Sequence, residues 1–193
     1  MLAVSFAAKA QSKLIFKDKF MYTDVQVFNE TKRHSIPSLI DTGCSLCIID
    51  SIFAIDSCGI KEDELQTIPV NQTKDKISSA FIDSIFFCGK TYHKVYCLVA
   101  DLTGHYQKYA PKFIVGANIL RSGAWKFDME KNIVEPYDSN NKAKGIIYKW
   151  KNHEDYPDVA IDYIILDSKV NGKKTRFAFD TGCRNCLLYT SPS

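Results

Sequence analysis

Asp41-Thr42-Gly43-Cys44 recurs as Asp180-Thr181-Gly182-Cys183, 139 positions further along the chain. Each copy sets a carboxylate beside a hydroxyl and a glycine, at the end of an apolar run: Leu39-Ile40 before the first, Phe177-Ala178-Phe179 before the second. From average residue usage, a single Asp-Thr-Gly arises by chance in roughly a few chains per hundred of this length, and two in matched contexts are much rarer. Glycine lets the backbone turn sharply and approach a partner closely. If the two units face each other, Asp41 and Asp180 cannot both ionise comfortably; they share a proton and their apparent pKa values separate. One carboxylate can then act as base toward a water that attacks a peptide carbonyl, while the other acts as acid. Such chemistry needs neither metal nor cofactor.

The elements around these motifs read as strands. Leu14-Ile15-Phe16, Val25 to Phe28 and Ile36 to Ile40 are clusters of β-formers between polar breaks. Glu62 to Val70 and Lys76 to Asp83 flank a polar tip at Asn71 to Asp75, a hairpin pattern. Ser84 to Phe87 and Tyr92 to Val99 flank Cys88-Gly89-Lys90-Thr91, a second hairpin. A third surrounds Glu130-Lys131-Asn132 between Trp125 and Val134, and Asn171-Gly172 separates strands at Ala160 to Leu166 and Thr175 to Phe179. Helices are confined to Ser51 to Ser57 and Asn118 to Ser122. The class is all-β. The repeat extends upstream at the same offset, with Val25 and Val27 falling on Ile164 and Leu166 and Ile40 on Phe179.

Together with the apolar-apolar-Gly element Ile114-Val115-Gly116, these motifs resemble the retropepsin-like aspartic protease family. The resemblance implies a β-barrel lobe with a flap hairpin over the substrate, here Glu64 to Asp83, and an aspartate from each of two lobes. It makes Asp41 and Asp180 the catalytic pair. Thr42 and Thr181 would cross-bond beneath them, with Gly43, Gly182, Ile114, Val115 and Gly116 in support. An Ile-Val-Gly strand of this kind passes beside the catalytic loop and is followed by a short helix, which Ala117-Asn118-Ile119-Leu120 fits. The implied activity is peptide-bond hydrolysis by an aspartic endopeptidase, with a peptide or protein substrate and no cofactor. The flap tip departs from retroviral members in lacking glycines, and Cys44 and Cys183 stand where Ala or Ser is usual.

With 193 residues the chain has room for one domain or two small ones. The expected division is a complete lobe over residues 1–137, a linker over 138–145 and the opening of a second lobe over 146–185. Residues 186–193 look like one reading frame of a sequencing adapter, so the second lobe is expected to be truncated after Asp180 and the fragment inactive unless first lobes pair as homodimers through two copies of Asp41. Basic and acidic residues are interspersed, 25 against 22, which gives nucleic-acid binding no support. No apolar run is long enough to span a bilayer, so no membrane partner is expected. Seven cysteines without a tight framework point to a reducing, cytoplasmic setting. Secretion is the alternative, since Ala8-Lys9-Ala10 resembles a cleavage site and Asn29 and Asn71 head glycosylation sequons.

Two rivals come from other classes. The pairs Cys44-Ser45-Leu46-Cys47 and Cys183-Arg184-Asn185-Cys186 allow a metal-binding module, with spacing unlike a zinc ribbon. A non-catalytic binding or assembly module on the same fold is the other. His34, His93, His105 and His153 show no metal spacing, and Asp50, Asp56 and Asp101 are expected to be solvated.

Overall fold

A computed structural model describes residues 10–69, 76–137, 149–150 and 164–183. Strands β1 (Ser12–Lys13), β2 (Ile15–Lys17), β3 (Phe20–Asn29), β4 (Lys32–Ile40), β5 (Cys47–Asp50), β6 (Gln66–Pro69), β7 (Lys76–Phe87) and β8 (Lys90–Ala100) come first. They are followed by helix α1 (Thr103–Tyr106), β9 (Phe113–Val115), helix α2 (Ala117–Leu120), β10 (Trp125–Asp128), β11 (Ile133–Pro136), β12 (Ile164–Val170) and β13 (Lys173–Phe179).

Alternation of buried and exposed positions makes these segments strands, as in β3, where Val25 and Val27 are fully buried around the half-exposed Gln26. Six strands close into a mixed barrel in the order β3-β4-β9-β5-β8-β7, with β7 returning to β3 through Gln26↔Phe86, Val27↔Ile85 and Phe28↔Ser84. Closure removes the open edges that β3 and β7 would otherwise present. Two of the pairings are parallel, β4 with β9 and β5 with β8, and the rest of the ring is antiparallel. The interior is filled by Val25, Val27, Ile40, Ile49, Ile82, Ile85, Phe87, Phe113 and Val115, each essentially without exposure. A second sheet, β1-β11-β10, lies against this core, with the Trp125 ring 4.8 Å from that of Phe87 and its indole N–H donating to the Leu120 carbonyl. β12 and β13 form a separate two-stranded sheet.

The turns follow residue chemistry. Cys88-Gly89 and Asn171-Gly172 have positive φ at both positions, 46° and 78° in the first and 50° and 78° in the second, the geometry that matches the twist of a two-residue hairpin. The two hairpins expected between Glu62 and Val99 share one continuous strand, β7. The polar tip, Asn71 to Asp75, lies outside the described residues, as do the whole of the expected linker, residues 160–163 of the strand preceding Asn171, and residues 186–193.

Three expectations need correction. Asp50 is not solvated: it is 8% exposed, its Oδ1 accepts the Phe53 N–H at 3.0 Å and its Oδ2 the Leu102 N–H at 3.4 Å. It caps the helical turn at Phe53–Ser57 and fixes the start of the segment leading to α1. The repeat does not run upstream at one offset. Leu39 pairs with Tyr22, 17 positions before it, whereas Ala178, its equivalent, pairs with Ile165, 13 positions before it. The second hairpin has shorter arms, so Ile164 takes the place of Met21 rather than that of Val25. Finally, Asn29 cannot carry a glycan in this fold, because its amide nitrogen is buried and donates to the Cys58 carbonyl at 3.1 Å.

Asp50→Ala should cost about 0.5–2 kcal/mol, the range for loss of a side-chain helix cap, with Asp50→Asn retaining part of it. Urea denaturation of the two variants against the parent checks this.

Candidate active site

The first motif follows β4. Leu39 and Ile40 pair in parallel with Ile114 and Val115 of β9, and the Asp41 N–H continues the ladder by donating to the Val115 carbonyl at 3.1 Å. Asp41 is thus delivered at the end of a strand buried on both sides. The chain then turns within Thr42-Gly43 and re-enters the barrel as β5.

What holds that loop is the start of α2. The Ala117 and Asn118 N–H groups donate to the Cys44 and Ser45 carbonyls at 2.7 and 3.1 Å. The Asn118 side chain accepts the Cys47 N–H at 2.8 Å and donates to the Tyr96 carbonyl at 3.0 Å, linking the loop, β5 and β8. Gly116 must be glycine, because a Cβ there would collide with the Leu46 carbonyl and lie 2.8 Å from the Cys47 nitrogen. Asn118 escaped sequence reading as a positioning group; the only available signal was its place just after the Ile-Val-Gly element.

The second motif meets the first in a reciprocal arrangement. The Thr42 N–H donates to Thr181 Oγ1 at 3.0 Å and the Thr181 N–H to Thr42 Oγ1 at 3.1 Å. The Thr42 hydroxyl donates to the Phe179 carbonyl at 2.8 Å, and the Thr181 hydroxyl to the Ile40 carbonyl at 2.7 Å. Phe179 and Ile40 are themselves related by the 139-residue offset, so the four bonds form two equivalent pairs. Each carboxylate also accepts from its own loop: Asp41 Oδ1 from the Gly43 N–H at 2.8 Å, Asp180 Oδ1 from the Gly182 N–H at 2.9 Å.

Asp41 and Asp180 face each other across the two glycines. A Cβ on Gly43 would run into the Asp180 carboxyl group, and one on Gly182 into that of Asp41. The surroundings differ, however. Asp41 is 8% exposed, whereas Asp180 is open to solvent. Burial first, then the negative charge of Asp180, push the Asp41 carboxyl up to about 6, against the lowering effect of the Gly43 N–H. Beside the pair lies a smaller apolar cluster of Phe20, Tyr22, Leu39, Leu102 and Ile114, with Cys44, Ile48 and Tyr106 packed against it. Burial raises the Tyr106 hydroxyl pKa, with further contributions from Asp41 and other neighbours.

Cys44 is not a nucleophile here. Burial and the Asp41 charge push its thiol up to about 12, and Sγ donates to the Leu46 carbonyl. Cys47 is fully buried on β5, its sulfur accepting the Gly116 N–H at 3.4 Å. Cys44 and Cys47 therefore have structural tasks on either side of a tight loop. Among the described residues no three His, Cys, Asp or Glu side chains are grouped so as to hold a metal ion; Cys186 lies outside them.

Two outcomes follow. Thr42→Val removes a hydroxyl that both donates and accepts, and should cost about 2 kcal/mol, with Thr181→Val costing much less in its presence; a double-mutant cycle by denaturation measures the coupling. For Asp41 the folded-state pKa lies above its ordinary value, so the folded chain binds the proton more tightly. Stability is full near pH 4 and falls as pH rises through 6, by up to about 3 kcal/mol for a shift of about two units. Asp41→Asn should therefore be more stable than the parent above pH 6 and about equal near pH 4, as urea midpoints at the two pH values will register.

No family model matches this sequence, and no curated protein does. Among solved structures, a retropepsin-like aspartic protease from Rickettsia conorii is similar to this chain with a TM-score of 0.47 and 18% identity, over 64% of this chain and 86% of that one.

Proposed function

We propose that this protein is an aspartic endopeptidase in which Asp41 and Asp180 form the catalytic pair. The observation that carries the reading is the reciprocal threonine bonding, which sets two aspartates from distant parts of one chain against each other's glycines. Desolvation favours the shared proton on Asp41, leaving the charge of the pair on the solvent-facing carboxylate. Asp180 then takes a proton from a water held between the two groups as that water attacks the peptide carbonyl. Asp41 gives its proton to the carbonyl oxygen, which becomes the second hydroxyl of a tetrahedral diol. As the diol collapses, one carboxyl group delivers a proton to the leaving nitrogen and the other takes one from a hydroxyl, restoring the shared proton.

If the resemblance to retropepsin-like proteases holds, the β6–β7 hairpin is the flap that would cover an extended peptide. It joins Gln66–Pro69 to Lys76–Ser79 and belongs to the same sheet as β4 and β9, the strands leading into the site.

The test is cleavage of an unstructured protein or a mixed fluorogenic peptide set by the 193-residue chain, in which the pairing of both motifs makes activity the expected outcome in place of the inactivity expected from the sequence. Asp41→Asn and Asp180→Asn should each reduce kcat/KM by about 10²–10⁴-fold, the usual contribution of general acid–base groups. Activity should decline above pH 6, where Asp41 loses the proton it must donate, and a peptide mimic with a hydroxyl in place of the scissile carbonyl should inhibit. Peptide binding with no cleavage from about pH 4 to 7 would overturn the reading in favour of a non-catalytic module.

A further inference from the structure

The second motif rides on a hairpin whose strands bury few side chains. Along β12 and β13 only Ile164 is buried, and from Asp167 onward both strands face mainly solvent. An isolated two-stranded hairpin is marginally stable in water, so its position depends on where it is fastened. The β13 side is fastened by the threonine bonds.

The β12 side is fastened by Trp150. Its half-buried side chain packs against the main apolar core of the barrel, which Trp125 and Phe127 of β10 also cover. Its backbone forms an antiparallel bridge with Ile164. Ile164 is the register partner of Phe179, whose carbonyl accepts the Thr42 hydroxyl and which immediately precedes Asp180. The path is continuous: barrel core, Trp150, Ile164, Phe179, Asp180. Among the described residues, the threonine bonds hold the β13 side and the Trp150 bridge holds the β12 side, so each strand has its own tie to the barrel.

We propose that Trp150 is a positioning residue for Asp180, fastening the second hairpin to the barrel so that the carboxylate stays opposite Asp41. The proposal rests on the dyad reading for its catalytic consequence but not for its structural test. If the hairpin pivots, the Asp180 charge withdraws from Asp41, and the titration of Asp41 reports it. Among the described residues, the other titratable side chains beside Asp41 are Cys44 on its own loop and Tyr106 of α1, and neither is charged between pH 4 and 8.

The experiment compares the full chain with Trp150→Ala and Trp150→Phe by carboxyl-carbon NMR titration, Asp41 being assigned through Asp41→Asn, and by amide exchange at Thr181. In Trp150→Ala the Asp41 midpoint should drop from about 6 by about one unit, toward the ordinary carboxylate range. Thr181 should exchange at least about tenfold faster while β3 and β4 amides are unchanged. Where the chain cleaves peptide, kcat should fall by about 10²-fold, as small misplacements of reacting groups do. Trp150→Phe, which keeps an apolar ring, should restore all three. An unchanged Asp41 midpoint and Thr181 exchange in Trp150→Ala, with the barrel intact, would overturn the proposal. If Trp150→Ala unfolds the barrel, Ile164→Ala takes its place: the same drop supports the proposal and no change refutes it. A chain that never cleaves peptide but shows the shifted titration would refute the protease reading and leave the positioning role standing.

Discussion

Two carboxylates of like charge, one of them nearly shut off from water, are brought face to face, and the rest of the structure serves to hold them there. Their repulsion and the burial of Asp41 both oppose the arrangement. The bonds that offset it are mostly between neutral groups: a threonine N–H to a threonine hydroxyl, twice, and a threonine hydroxyl to a backbone carbonyl, twice. Neither partner in such a bond changes its own charge when the pair gains or loses a proton. The frame that carries the two carboxylates is thereby built mainly from groups that do not themselves titrate.

The barrel contributes the first half of that frame. β9 pairs in parallel with β4 and supplies the Val115 carbonyl to Asp41, and its continuation through Gly116 into α2 grips the far side of the loop. Gly116 is the point where this depends on a missing side chain, since β5 starts in the space a Cβ would fill. Gly43 and Gly182 serve a different purpose, because each makes room for the carboxylate of the other motif. Three glycines in three motifs thus answer to three separate close approaches.

Much of this was legible locally. The repeated Asp-Thr-Gly, the apolar run ahead of each copy, the Ile-Val-Gly element and the Asn171-Gly172 turn are short-range patterns whose physical meaning survives without knowledge of the fold. What escaped depends on contacts between distant segments. Asp50 reads as a surface carboxylate until Phe53 and Leu102, the latter 52 positions away, bring their N–H groups to it. Asn118 is one polar residue in a short helix until it meets Cys47 and Tyr96. The pairing of β3 with β7 that closes the barrel leaves no local trace. The gapless upstream repeat failed for a related reason: arm length in a hairpin is set by where the turn falls, and Asn171-Gly172 lies closer to its motif than Glu30-Thr31 does to the first.

The pairing within one chain also bears on how copies of it would behave. A homodimer built from two first motifs would have to exchange the Thr42–Thr181 bonds for Thr42–Thr42 bonds of the same kind, so hydrogen bonding alone favours neither arrangement. Tethering decides between them. A second motif held on the same chain is present at an effective concentration in the millimolar range when the linker reaches, whereas another molecule competes at its bulk concentration. For a short flexible tether that reaches, this is an advantage of about 10³-fold over another molecule at micromolar concentration. The two arrangements also differ electrostatically, because two copies of Asp41 related by two-fold symmetry would be equivalent. In the intramolecular pair one carboxylate is buried and the other meets solvent, so that a proton shared between them would have a preferred side.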